Sequence, residues 1–447
     1  MSVDAALAHA KNRGADECEI VAVKKNTTTV RITDSGISEI KQNRGYRCGI
    51  RLIRDKKIAA VQTDYDGLLG GVDWALCHAP LLQERGFWRG LPHKAEQKDL
   101  PGTFDRQLEC MSGSDAADIA ESMINGACGS AMTVTGSLNI VSEEYTIANS
   151  NGLEYKDRST YISGVVNSES ERGHAVSGIG HSSGRTLSGF SAEQAGDEAK
   201  IMCKESANPR RVEPGRYSII FEPYAAGELL AFVAAPNFAL KAFSEKKSCL
   251  SEMGEKMAYK SLHLADDPHM PEGMGTRHVD DEGVKTQKTD LIRDGVFCGV
   301  ISDLYDGYKE NLKSTGNASR AGSPLGRSSE PVPVSAPHNL CVTPGDMSHE
   351  EMISDTRHGL LVGRLWYTYA VNPTRGDFSC TARSGIRIIE NGQVRGSGKQ
   401  VRIMHNLLAM MRDISGIGNR QRRVIQWASL PSSTPPIRVE GIHAEPV

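Results

Sequence analysis

The chain has 447 residues, enough for two to four domains at about 100–200 residues each. Its 52 Lys and Arg against 55 Asp and Glu give a formal net charge of -3, which argues against a general polyanion-binding surface and leaves only a local basic patch open. With 39% hydrophobic and 24% charged residues the composition is that of a soluble globular protein, and 45 glycines beside 6% aromatics predict many tight turns and no aromatic base-stacking platform.

No run approaches the ~18 apolar residues of a membrane span, and Met1-Ser2-Val3-Asp4 opens neither a basic nor an apolar leader. The ten cysteines lie far apart without a Cys-x-x-Cys pair, a usage that suits reduced thiols in the cytoplasm rather than a disulfide framework or a zinc knuckle.

Residues 1–100 read as α+β. A helix is expected over Val3–Arg13, and strands over Glu19–Lys24 and Thr28–Thr33, where polar and apolar residues alternate. Gly45–Ile53 and Lys57–Thr63 flank Arg54-Asp55-Lys56 as a hairpin, a helix covers Tyr65–Cys77, and the polar stretch Pro92–Pro101 marks a first boundary. Residues 101–208 open with a helix capped by Ser114 or Asp115, with Ile119, Met123 and Ile124 on one face. Asn149-Ser150-Asn151-Gly152 sits between Tyr145–Ala148 and Leu153–Tyr155. Asn-Gly supplies positive φ angles, so a tight hairpin is expected there. Ser191 caps a helix over Ala192–Ser206, and Asn208-Pro209-Arg210-Arg211 followed by Pro214-Gly215 marks a second boundary. Residues 209–447 begin with a strand at Arg216–Glu222 and an apolar helix over Ala225–Ala235 that Pro236 ends. Further hairpins are expected at Arg293-Asp294-Gly295 and Glu390-Asn391-Gly392, and Ala321–Asn339, with four prolines, reads as a long surface loop or lid. Hairpins dominate and no βαβ alternation is visible, so pattern alone gives an α+β fold.

Five motifs bear on chemistry. Gly180-His181-Ser182-Ser183-Gly184 matches Gly-x-Ser-x-Gly, but no helix follows the serine directly, so a loop between strands is expected rather than a nucleophile elbow. His349-Glu350 lacks a second histidine at helical spacing and reads as a helix capped by Ser348 with Met352 buried. His263, Asp266, Asp267, His269, His278, Asp280 and Asp281 are the densest set of potential metal ligands, at a spacing that matches no defined site. Lys313-Ser314-Thr315-Gly316-Asn317 offers either backbone N–H groups to a peptide or anion, or a plain turn. Gly418-Asn419-Arg420-Gln421-Arg422-Arg423 is a short basic cluster of the kind found on solvated edges.

Several segments recur together, and in this order, in one family. They are Ala148-Asn149-Ser150-Asn151-Gly152-Leu153, Asp281-Glu282-Gly283-Val284, Asp290-Leu291-Ile292-Arg293-Asp294-Gly295-Val296, Lys313 to Ala318, Asn339-Leu340 through Pro344-Gly345, Gly376-Asp377-Phe378-Ser379, Ile389-Glu390-Asn391-Gly392 and Gly418-Asn419. By these the chain resembles the TldD/PmbA proteins, the subunits of the TldD–TldE peptidase. The resemblance implies two smaller N-terminal α+β regions (1–100 and 101–208) followed by a larger β-rich C-terminal domain (209–447). In that family the TldD-type subunit is a zinc peptidase. Two histidines of a His-Glu-x-x-x-His helix and a cysteine near the C-terminus hold the ion, and the glutamate is the general base. The chemistry is metal-assisted hydrolysis, in which zinc acidifies a bound water and polarises the scissile carbonyl.

This sequence departs from that pattern at each position. Aligned by eye, Ala231 stands at the first histidine, Phe232 at the glutamate, Pro236 at the second histidine and Trp427 near the cysteine. Alanine, phenylalanine and proline bring no side-chain lone pair for zinc, and no histidine lies between His181 and His263 to rescue the register. The resemblance therefore implies a TldE (PmbA) type, the subunit without the metal. It would carry no cofactor of its own and would form a heterodimer with a zinc-bearing TldD-like paralogue that degrades unfolded or short peptides in an enclosed chamber. Thr315, Gly316, Asn317 and Asp377 are the candidate chamber residues, and because the family interface is made between related folds a homodimer is one option open to the isolated chain. Two alternatives stand beside this. One is a self-sufficient metal-dependent hydrolase using the His and Asp residues between 263 and 281. The other is a regulatory module of the gyrase-modulator kind, although the composition favours neither nucleic-acid nor membrane binding.

Overall fold

The computed structural model describes residues 2–94, 98, 100–170, 175–425 and 430–447. Its N-terminal half is built on long hairpins. Strands β1 (Glu17–Thr33) and β2 (Gly36–Arg54) meet at Asp34-Ser35, and β2 meets β3 (Lys57–Asp64) at Asp55-Lys56. All four turn residues have positive φ, the backbone of two-residue hairpins whose twist matches that of the strands. The two strands expected within residues 19–33 are one. Pairing with β2 on one side and β4 (Thr133–Asn149) on the other continues through Lys25-Asn26-Thr27, so the polar stretch does not break it. Strands β5 (Glu154–Ser170) and β6 (Val176–Gly184) complete an antiparallel sheet in the order β3-β2-β1-β4-β5-β6. The sheet thus runs across residue 101. The expected Asn149–Gly152 turn is present. Asn149 Oδ1 accepts from the N–H groups of Asn151 and Leu153, and Gly152 takes φ +93.

Helices cover one face of this sheet. Helix α1 (Val3–Asn12) and helix α2 (Leu68–His78) bury Ala6, Ala10, Val72 and Ala75 against Ile20, Ile50 and Leu52. Helix α3 (Gly113–Ala127) and helix α4 (Ala192–Glu205) bury Ala120, Met123, Ala195 and Ala199 against Leu138, Ile140 and Ile162. Ser191 caps α4 as expected. The cap of α3 is Ser112, not Ser114 or Asp115. Ser112 Oγ accepts from the Asp115 N–H while the Asp115 carboxylate accepts from the Ser112 N–H, a reciprocal box that Asp115 can complete only from the third helical position. Gly180 on β6 lets α4 approach, because a Cβ there would collide with the Ala195 carbonyl. The Gly180–Gly184 stretch is therefore the end of a strand and not the loop expected. Its Ser182 Oγ accepts from the Ser191 N–H at 2.9 Å, at the start of α4.

The C-terminal half holds a nine-stranded mixed sheet and a six-stranded sheet. Strand β7 (Gly215–Phe221) lies inside the larger one, between Ile437–Pro446 and His358–Val362, and Arg364–Asn372 forms one edge. The apolar core between the sheets is filled by Ile219, Phe221, Leu229, Phe238, Leu264, Leu291, Leu340 and Ile442. The apolar helix expected at 225–235 is composite. Helix α5 (Pro223–Leu229) begins two residues earlier, with Pro223 in its first turn, then passes through a π turn (Leu230–Ala234) and a 3-10 turn (Ala235–Phe238). Pro236 sits in that 3-10 turn, where its missing N–H costs little.

The segment Ala321–Asn339 is not a surface lid. Leu325, Arg327, Ser329, His338 and Asn339 are buried, and the segment wedges against β1, β2 and β4. Charge holds it there. Arg320 bonds Glu19 at 2.6 Å, Arg51 bonds Glu19 at 2.9 Å and Glu282 at 2.6 Å, and Arg327 bonds Asp157 at 2.7 Å and Asp281 at 3.2 Å. Arg51 and Arg327 thus each meet two carboxylates, and Arg320 meets one together with the Glu330 and Pro331 carbonyls, the condition under which buried cations are tolerated inside a protein.

Candidate functional site

A cavity of about 610 Å³ lies where the N-terminal sheet faces the C-terminal domain. Its floor is the helix-free face of β4 and β5. Asn139 is paired with Ser163 and Ser137 with Val165, and these four side chains line it. One wall is α5 and its π turn, where Tyr224, Glu228 and Phe232 recur every four residues and so share a face. The opposite wall is the edge strand Arg364–Asn372, whose Arg364, Trp366 and Thr368 alternate toward the cavity beside Tyr367 and Tyr369.

The electrostatics of this site are unusual. Glu228 is buried, and one of its oxygens accepts the Leu365 N–H at 2.7 Å. Burial pushes its carboxyl up to about 8 against the pull of that N–H and of Arg364, so it is a neutral acid at neutral pH. Burial also raises the Tyr224 phenol. The Arg364 Nη1 donates to Asn167 Oδ1 at 2.7 Å, and its guanidinium stacks 4.8 Å from the Trp366 ring, with Arg383 at 4.3 Å. His181, edge-on to Tyr224, is pushed down to about 3 by burial and by Arg422, and is neutral.

The residues at the family's metal positions stand on this same element. Ala231 is buried, Phe232 lines the cavity and Pro236 is exposed. Trp427 lies outside the described residues. Ala231 and Phe232 lie in the π turn and Pro236 in the 3-10 turn that follows, and none of the three side chains has a lone pair to offer zinc.

The other sequence candidates disperse. His263 faces Asp294 at 3.5 Å, and His269 Nε2 lies 3.1 Å from Thr286 Oγ1. Asp266 accepts from Asn317 at 2.6 Å and from the N–H groups of His338 and Asn339. Burial pushes its carboxyl up to about 7. Asp280 caps the Glu282 and Val284 N–H groups, and Asp281 joins Arg277 and Arg327. Among the described residues no three His, Cys, Asp or Glu side chains are placed to hold an ion. His349 bonds Glu222 at 2.9 Å on a helix capped by Ser348, with Met352 buried, as the spacing predicts. Arg422 and Arg423 are neutralised by Glu198 and Glu272, each at 2.9 Å.

Thr315, Gly316 and Asn317 form a turn inside the C-terminal domain. Thr315 Oγ1 bonds Asn317 Oδ1 and accepts the Ser302 N–H, both at 2.7 Å, and Asn317 is fully buried on Asp266. Gly316 has φ +75, and a Cβ there would lie 2.6 Å from the Lys285 carbonyl oxygen. Asp377 opens a strand and accepts from Asn406 Nδ2 at 2.9 Å. None of the four lines the 610 Å³ cavity. The cavity residues that sequence reading missed are Tyr224, Glu228, Arg364, Trp366 and Thr368. A single carboxyl within the apolar run 225–235 was the available signal.

The architecture is that of a three-domain metallopeptidase-type fold. Residues 18–76, 106–207 and 214–445 match PmbA/TldA metallopeptidase domain 1, the central domain and the C-terminal domain in turn, and the chain belongs to the PmbA/TldD family. A metalloprotease of Methanothermobacter thermautotrophicus is 25% identical over 95% of this chain and 93% of its own length. Metalloprotease PmbA of Escherichia coli O157:H7 is 25% identical over 57% of this chain and 51% of its own length. Among solved structures, TldE from Thermococcus kodakarensis superposes with a TM-score of 0.89 at 23% identity, covering 99% of both chains. A Thermotoga maritima protein described as a candidate modulator of a DNA gyrase superposes at 0.85 with 20% identity and 99% coverage of both. These two likenesses establish the fold. Among the described residues no helix is long and apolar enough to cross a membrane.

Proposed function

We propose that this chain is the non-catalytic, TldE/PmbA-type subunit of a TldD–TldE-type zinc metallopeptidase that degrades or processes unfolded or short peptides. What carries the reading is Ala231 and Phe232 in the π turn and Pro236 in the 3-10 turn after it, at the positions where the resemblance expects the family's ligands and general base. The chain keeps the scaffold of a metallopeptidase and has exchanged the groups that bind the ion and activate its water. In this role zinc resides in a paralogous partner, and the present chain completes the chamber wall in a cytoplasmic heterodimer. An unpaired edge strand, Arg364–Asn372, beside the cavity supports peptide handling, because extended peptides pair with such edges.

Metal analysis and co-purification test it. The isolated chain is expected to hold no stoichiometric zinc and to leave casein and short peptides intact. A His-Glu-x-x-x-His paralogue from the same source is expected to co-purify with it and to supply both zinc and activity. Stoichiometric zinc in the lone chain, or chelator-sensitive cleavage lost with His269→Ala or His278→Ala, would return the function to a self-sufficient hydrolase.

A further inference from the structure

Buried donors without partners are rare in folded proteins, because water has been removed and nothing has replaced it. Arg364 Nε, Trp366 Nε1 and Thr368 Oγ1 are three such atoms, on alternate residues of one strand, and all three side chains line the 610 Å³ cavity. The arginines of the joint also leave Arg51 Nε, Arg320 Nη1 and Arg327 Nε and Nη1 without hydrogen bonds, but each of those cations has a carboxylate within ion-pair distance, and among the described residues Arg364 has none. Arg364 directs Nη1 to Asn167, a neutral acceptor, which orients the guanidinium and leaves its Nε edge uncommitted. Arg383 stacks on the same indole, so two cations flank Trp366. Among the described residues neither forms an ion pair. Burial raises the carboxyl of Glu228, the one carboxyl among the lining residues, which weakens it as a counter-charge to Arg364.

This wall has the character of an anion receptor. The side edge of a guanidinium matches a planar carboxylate, and the indole N–H and the hydroxyl lie two and four residues further along the same strand. The rest of the cavity describes what the carboxylate is attached to. Tyr224, Phe232 and Leu365 supply apolar and aromatic surface for a side chain, while Asn139 and Ser163 on the floor supply amide and hydroxyl groups suited to a main-chain amide. We infer that this cavity receives the C-terminal residue of a peptide, its carboxylate on the Arg364 Nε edge and the Trp366 N–H, its side chain against the aromatic wall. The inference deepens the peptide-handling role and rests on it only in taking the ligand to be a peptide. Binding requires neither zinc nor a partner.

Calorimetric titration of the full chain with N-acetyl-Gly-Gly-Phe and with its C-terminal amide, at neutral pH and low salt, tests it. The free acid is expected to bind, and the amide to bind about tenfold more weakly or worse, the usual consequence of losing a charge-assisted pair. Trp366→Phe and Thr368→Val keep the side-chain shape and should each weaken the acid while leaving the amide unchanged. Arg364→Lys should retain part of the affinity that Arg364→Gln loses. Thermal melts of Trp366→Phe and Thr368→Val establish that these variants are folded, so the test does not depend on the arginine variants. Equal affinity for acid and amide, no heat from either, or unchanged acid affinity in Trp366→Phe and Thr368→Val overturns the inference. So does inorganic phosphate displacing the peptide acid at lower concentration than the acid itself binds, which would make this a free-anion site. Zinc content and partner capture do not enter this measurement, so its failure and that of the subunit role are separate results.

Discussion

The arginines of the joint and of the cavity wall have different partners, and a further one, Arg185, is fully buried on main-chain carbonyls. At the joint between the N-terminal sheet and the segment 320–339, Arg51, Arg320 and Arg327 each meet carboxylates, and those carboxylates take further N–H groups, as Glu282 does from Leu304. At the cavity wall, Arg364 meets an amide oxygen and an indole ring and, among the described residues, no carboxylate within ion-pair distance. Removing one member of a buried ion pair leaves the other charge uncompensated, whereas removing a donor that bonds no protein group leaves nothing stranded, so the two regions of this chain predict different outcomes on substitution.

The largest effect should come from breaking the joint. Arg51→Met leaves Glu282 buried without a cation and Glu19 with Arg320 alone, and should cost about 3–5 kcal/mol in denaturant unfolding. A paired experiment sharpens the comparison. Thr160 is fully buried, accepts the Asp105 N–H at 2.8 Å and donates to the Arg185 carbonyl, so Thr160→Val should cost about 1–3 kcal/mol. Thr368→Val removes a hydroxyl that bonds no protein group and should change stability by no more than ~0.5 kcal/mol.

The cavity also has its own pH signature. Glu228 binds its proton more tightly folded than unfolded, its carboxyl standing near 8 rather than in the usual range. Its contribution is therefore fully present below the ordinary carboxylate range and is lost as pH rises through about 8. The stability difference between Glu228→Gln and the parent should move in favour of the variant by at most about 1.4 kcal/mol per pH unit across that window, and be flat above it. A flat difference throughout would place an ionised carboxylate in the cavity and weaken the contrast. The smallest effect is local: Ser112→Ala removes the α3 cap and should cost about 1 kcal/mol, read from the thermal midpoint.

Much of the fold was legible in short-range signals. The turn at Asn149–Gly152, the Ser191 cap and the Ser348 helix with Met352 inside depend on residues within about four positions of one another, where local backbone chemistry decides. The misreadings are long-range. Ala321–Asn339 has the composition of a loop, but Arg320 and Arg327 find Glu19, Asp157 and Asp281 on distant strands, and those bonds draw the segment inside. Residues 19–33 were divided because Lys25-Asn26-Thr27 is polar, yet flanking strands on both sides supply the main-chain partners that carry the strand through.

For the site, identities were legible and placement was not. That Ala231, Phe232 and Pro236 cannot ligate an ion follows from their side chains alone, because no tertiary arrangement gives a hydrocarbon a lone pair. The cavity exists only because β4 and β5 present Asn139 and Ser163 to a helix and an edge strand more than sixty residues further along the chain. Which buried charges are compensated is a property of that meeting, since burial and partner choice are set by packing between elements and leave no trace in local sequence.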